Sequence, residues 1–195
     1  MMRWLLIALI AFGAWQWWGG RGIERAPGVI AAAAPEQHVI AVNPPQFQKK
    51  GYTVTALARF ALTARVLGVE PYRLDREADL SPVDFTLGWG PMSDSAVLSK
   101  LRISQGGRYY HWRTDEFPIA RREIEVNSAN MHLIPATPEV EKLLKRARTG
   151  SIVQLSGYLV EARAADGWRW VSSLTREDTG AGACELIWVE QLELR

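Results

Sequence analysis

The sequence predicts an α+β domain, mainly β, carried behind an N-terminal membrane-spanning helix. Three observations predict it. From Tyr52 to Val66 every even position is apolar, the period-two mark of a strand with one buried face. Pro138 to Arg148 carries an apolar stripe at helical spacing. Met1-Met2-Arg3 is followed by an uncharged run from Trp4 to Trp18, WLLIALIAFGAWQWW, which a soluble surface would expose as a large apolar patch.

The run spans fifteen residues, or seventeen with Gly19 and Gly20. As a helix it reaches about 22–26 Å, a little short of a roughly 30 Å hydrocarbon core. That length also suits the apolar region of a cleaved export signal. Trp15, Trp17 and Trp18 favour retention, because bulky amphipathic rings settle at the membrane interface. No small-x-small cleavage site follows directly, and the Ala31–Ala34 cluster begins thirteen residues beyond Trp18. Residues 1–20 are therefore expected to be a signal anchor that places residues 4–18 in the lipid bilayer. Arg3 on one flank and Arg21 and Arg25 on the other leave the charge rule near a draw. The short basic start favours a single-pass protein with its domain on the periplasmic side.

Residues 21–50 contain RAPGV, AAAAPE and VNPPQ, with no apolar periodicity and four prolines, which predicts a Pro/Ala-rich tether. Residues 51–195 are then one globular domain of about 145 residues, long enough for a proper core. Residues 1–50 hold five of the 23 basic and two of the 21 acidic side chains, which leaves 18 and 19 for the domain, a balance of −1. Nucleic-acid binding driven by counterion release needs clustered basic charge, so that class is disfavoured. Cys184 is the only cysteine, so no intramolecular disulfide can form.

Taken in order, the domain opens with the alternating strand at 52–66, broken only by Leu57 and Ala61 on its polar side. Glu70 to Ser95 reads as irregular, interrupted by Ser81-Pro82 and Gly90-Pro91. Ser93 or Asp94 can cap a short helix over Ala96–Leu101. Arg102–Ser104, a turn at Gln105-Gly106-Gly107 and Arg108–Arg113 read as a hairpin. Its second strand sets Tyr110 and Trp112 on one face, with Tyr109, His111 and Arg113 on the other. The clear amphipathic helix is Pro138–Arg148, with Thr137 as N-cap, proline at the first position and Gly150 past its end. Lys142, Lys145, Arg146 and Arg148 on it read as a solvated face that complements the helix dipole.

The last stretch is β. IVQLSGYLVEA contains Gly157, which marks a bulge or bend; Asp166-Gly167 makes a hairpin turn into GWRWVSSL; EDTGAGA leads to a closing strand from Cys184 to Leu194. This block of about 45 residues resembles the early strands of an OB-fold barrel. The resemblance implies a small antiparallel barrel-like (OB-like) sheet. Such folds serve nucleic-acid, oligosaccharide and protein binders alike, so function stays open.

Chemistry is sparse. His111 in YYHWR and His132 in SANMHLIPA lack HxxxH, HxH or CxxC spacing, so no metal is expected. His132, among Met131, Leu133 and Ile134, reads as a buried histidine bonded to backbone. A hydrolase can be drawn from His111 or His132 with Asp178 and a serine (Ser128, Ser172 or Ser173), but no G-x-S-x-G elbow supports it. Asn127, Ser128 and Asn130 read as braces for an irregular turn before Ile134-Pro135. EDTGAGACE matches neither a P-loop nor a dinucleotide fingerprint, so no cofactor is called for. Cys184 reads as a small core residue.

Aromatics are plentiful: Trp89, Tyr109, Tyr110, Trp112, Tyr158, Trp168, Trp170 and Trp188. Core packing accounts for most. A binding face can be drawn from Trp89, Tyr110, Trp112, Arg113, Trp168 and Trp170. The expected role is thus non-catalytic, engaging a partner protein or cell-envelope polymer near the membrane, with an envelope hydrolase as the alternative.

Overall fold

Alternation at 52–66 produces a single strand of twenty residues in the computed structural model, which describes residues 21–175 and 184–195. The strands are β1 (Glu36–Val39), β2 (Gln46–Lys49), β3 (Tyr52–Pro71), β4 (Val83–Gly88), β5 (Arg102–Gly106), β6 (Tyr109–Arg113), β7 (Ser128–Pro135), β8 (Ile152–Arg163), β9 (Arg169–Val171) and β10 (Glu185–Leu194). Among the described residues three short α-helices join them: α1 (Ser95–Leu98), α2 (Arg121–Val126) and α3 (Pro138–Leu144). The fold is mainly β. The anchor expected at 4–18, the glycine-rich connection 177–183 and Asp178 lie outside the described residues. Among the described residues no helix is long and apolar enough to cross a membrane.

Strand pairings run β3–β4–β7–β10–β8 and return to β3. All are antiparallel except β7 with β10. Leu57 is what makes β3 work. Ala56 pairs with Val160 and Ala58 with Leu159, so Leu57 is the extra residue of a bulge. One extra residue inverts side-chain parity. Even positions are buried on both sides of it, yet against different clusters. Tyr52, Val54 and Ala56 pack outside with Tyr158, Val160 and Trp188. Ala58, Phe60, Leu62, Ala64 and Val66 pack inside with Phe85, Leu87, Met131, Leu133, Leu155 and Ile187. α3, capped by the Thr137 hydroxyl accepting from the Val140 amide, adds Val140 and Leu144 to the inner cluster. Each large side chain so buried stabilises by about 1.5–3 kcal/mol.

Several expectations need correction. Residues 21–50 do not stand off as a tether. β1 and β2 pair with β3, and Phe47 stacks on Trp188 at 4.5 Å between ring centroids. Ile23 donates to the Thr149 carbonyl, and the Ile30 and Ala31 amides donate to Ser93 Oγ. Extended chain held by its backbone needs no apolar period, so composition conceals it. Within the supposedly irregular 70–95 lies β4, buried at all six residues. Its V-D-F-T-L alternation was legible but short, and it is bracketed by Pro82 and Gly88-Trp89-Gly90. Residues 128–135 form β7 rather than an irregular turn. The helix from Pro138 stops at Leu144, and the next residues continue as a tighter turn with Arg146 and Ala147 donating three residues back. The block 152–194 supplies the last two members of the circuit instead of its early ones.

Gly157 is required by close approach. A Cβ there would lie 1.9 Å from the Trp188 carbonyl oxygen, where β10 carries its own bulge between Val189 and Gln191. Gly157→Ala is expected to lower stability by about 1–3 kcal/mol through forced backbone displacement. Chemical denaturation checks it; an unchanged midpoint would mean β10 yields freely.

Candidate functional site

On β4 and β7 the odd positions of Val83–Leu87 and Met131–Leu133 face the inner cluster, which turns Asp84, Thr86, Ser128, Asn130 and His132 outward. All five are nevertheless buried. The cover is the β5–β6 hairpin, inserted between β4 and β7. Gly107 (φ 58°) and Arg108 (φ 70°) form its two-residue turn, one residue later than sequence suggested, in the left-handed region that hairpin turns use.

Arg108 fastens this cover. Its Nη1 donates to Asp84 Oδ1 at 2.8 Å and to the Ser81 carbonyl at 3.1 Å, and its Nη2 to Asp75 at 2.6 Å. Its guanidinium lies 3.7 Å from the centre of the Tyr72 ring. Gln105 Nε2 donates to Asn130 Oδ1 at 2.7 Å, and Asn130 Nδ2 to the Arg108 carbonyl at 2.9 Å. Asp84, with no side-chain exposure, also lies 2.8 Å from His132 Nδ1, directly opposite in the ladder. His132 is therefore buried as expected, but its partner is a carboxylate and not backbone. Trp170 covers it, with ring centroids 4.8 Å apart.

Burial pushes the Asp75 carboxyl up, but the hydrogen bond and charge of Arg108, with the Ala78 amide, outweigh it and hold the group below its usual range.

Beside the hairpin opens a cleft of 840 Å³. One wall is β6 and its continuation through Phe117. The other is α2 with Ser128–Asn130. Trp89, Thr175, Cys184 and Glu185 complete the lining. Trp112 and Phe117 meet edge to face at 6.0 Å, and Phe117 and Tyr109 remain exposed. Tyr110 Oη lies 2.9 Å from Ser128 Oγ. Burial raises the Tyr110 phenol above its ordinary pKa by more than this bond lowers it. Arg102 pairs with Asp115 and Arg121 with Glu125, whereas Arg113 has no acidic partner among the described residues.

Of the aromatic face drawn from sequence, Trp89, Tyr110, Trp112 and Arg113 come together at this cleft. Trp89 is 2% exposed and contributes an edge only. Trp168 and Trp170 lie elsewhere, packed on the outer cluster, with the Arg76 guanidinium 4.8 Å from the Trp168 ring. His111 lines the cleft; His132 does not. Periodicity missed Asp84 and Arg108. The signal for Asp84 was its place in V-D-F-T-L, while nothing local announces Arg108. Among the described residues no group of three His, Cys, Asp or Glu is placed to hold a metal. No known protein family, curated protein or solved structure matches the chain.

Arg108→Met would leave the buried Asp84 side chain without its guanidinium partner, and is expected to lower stability by roughly 3–5 kcal/mol. A loss below about 1 kcal/mol, as for exposed pairs, would mean the latch is solvated. Asp75 adds an acid dependence. A carboxyl lowered on folding stabilises fully above its unfolded pKa and loses that effect as pH falls through the folded one. Asp75→Asn is therefore expected to flatten the acid limb of stability against pH, read by denaturation from pH 5 to about pH 2. A limb as steep as in the parent chain would remove Asp75 from this account.

Proposed function

We propose that this chain is a membrane-anchored, non-catalytic binding module that holds a partner protein or envelope polymer in the cleft between β6 and α2. The observation that carries the reading is the concave meeting of Tyr109, Trp112 and Phe117 with an Arg113 that lacks an acidic partner among the described residues. Exposed rings beside an uncommitted guanidinium combine apolar area with a directional donor set, the combination that dominates binding surfaces. The five-strand circuit fits a small barrel of the OB type, with β8 and β10 as its fourth and fifth strands in chain order. Such a scaffold is rigid, and the cleft stands on an insertion between two of its strands.

The hydrolase alternative has less support. His111 stands opposite Ser104 across the hairpin ladder, and no hydrogen bond joins their side chains. His132 is committed to Asp84 beneath Trp170 and outside the cleft.

The anchor reading rests on residues 4–18, and the stretch 21–50 behind them lies along the body through β1 and β2. A reporter fused after Arg195 is expected to be active on the periplasmic side only; cytoplasmic activity would reverse the topology. For the cleft, the combined Arg113→Glu and Phe117→Ala changes alter exposed side chains. They are expected to weaken capture of the partner at least tenfold in pull-downs of the solubilised full chain, with the melting curve unchanged. Equal capture would place binding elsewhere.

A further inference from the structure

Resting on that cleft reading, we propose that the occupant is an extended polypeptide segment that adds as a third strand to the free edge of β6 and sets a carboxylate against Arg113. Among the described residues β6 pairs only with β5. Around the Gly107-Arg108 turn the closing pair is Gly106 with Tyr109, followed by Ser104 with His111 and Arg102 with Arg113. In an antiparallel ladder hydrogen-bonded and non-bonded pairs alternate, and a two-residue turn is closed by a bonded pair. Tyr109, His111 and Arg113 therefore aim their amides and carbonyls at β5. Tyr110 and Trp112 aim theirs away from it.

Those four backbone groups have no hydrogen-bond partner among the described residues. They open into the cleft, because the cleft is lined by every residue of β6 but only Arg102 of β5. A row of unpaired donors and acceptors repeating every two residues, about 6.8 Å, is matched by the backbone of another strand. A sugar chain presents no such repeat. Tyr-Tyr-His-Trp-Arg carries no lysine, proline or bulge, three of the devices that blunt an open edge.

Charge selects the segment. Arg102 and Arg113 stand opposite each other, a like-charge pair that weakens a ladder. Asp115 compensates Arg102 at 2.7 Å, and among the described residues nothing acidic compensates Arg113. An Asp or Glu on a third strand beside Arg113 would supply the missing charge on the same face.

The test uses the detergent-solubilised full chain and linear nonapeptides selected on it from a random displayed library. Oligosaccharides of the cell-wall type serve as the competing probe. Expected are selected peptides with a shared acidic position, and an affinity loss of tenfold or more when alternate amides are N-methylated but not the intervening ones. Arg113→Glu should invert the preference at that position from acidic to basic. Loss of affinity irrespective of which amide is methylated would overturn strand addition. Oligosaccharide binding that needs Phe117, with no peptide selected, would overturn it too while leaving the cleft reading standing. Peptides indifferent to both Arg113→Glu and Phe117→Ala would sink the two readings together. A concentration-dependent dimer that excludes the peptides would assign the edge to a second copy and overturn the inference.

Discussion

The structure depends on one strand being long enough, and bent in one place, to be paired along both edges. β3 meets β8 over its first two thirds and β4 over its end, so the pairings return on themselves. The bulge at Leu57 lets a single alternating run serve two cores in turn. Without it, either Tyr52, Val54 and Ala56 or Phe60, Leu62 and Ala64 would face the wrong side. The glycine at 157 plays the matching part in β8, where the carbonyl of Trp188 leaves no space for a side chain.

Closing the circuit leaves the outer face of β4 and β7 to be dealt with. That face is polar, and it is covered by a hairpin whose turn is held with charged and amide groups while Ile103 and Trp112 pack on Leu67, Met92, Leu101 and Ile124. Asp84 lies at the centre, fully buried, with Arg108, His132 and Ser81 around it. Replacing such a network with apolar groups need not weaken a protein, but breaking it one-sidedly does. Its effect here is positional. Because Gln105 and Arg108 hold the hairpin by its turn, β6 is carried beside β7 and α2 as a separate wall, and the cleft is the gap between them.

The cleft and the latch divide the polar chemistry between them. The latch uses up its charges internally, with Asp75 and Asp84 both on Arg108. Among the described residues the cleft keeps exposed rings, a guanidinium at Arg113 with no acidic partner and a strand edge with no pairing. On the reading proposed above, these groups at one rim of the scaffold hold the ligand. The buried position of His132 and the exposed one of His111 fit that division.

How much of this was legible depends on whether the signal is local. The alternation at 52–66 determined a strand, Thr137-Pro138 determined a helix start, and Gly157 announced a bulge or bend, because each follows from backbone geometry within a few residues. Trp112 and Arg113 were placed at a site by their neighbours in the hairpin. The aromatic pair Trp168 and Trp170 looked equivalent, and only packing assigned it to the outer cluster. β1 and β2 were hidden because exposed edge strands carry no apolar period. Asp84 and Arg108 were hidden because 24 residues separate them and a charge looks the same in sequence whether solvated or buried. The sequence by itself determined the periodicities, the turn chemistry and the apolar leader. Tertiary structure alone decided which face each strand buries, which charges are spent on one another, and where an edge is left open, since those depend on contacts between segments far apart in the chain.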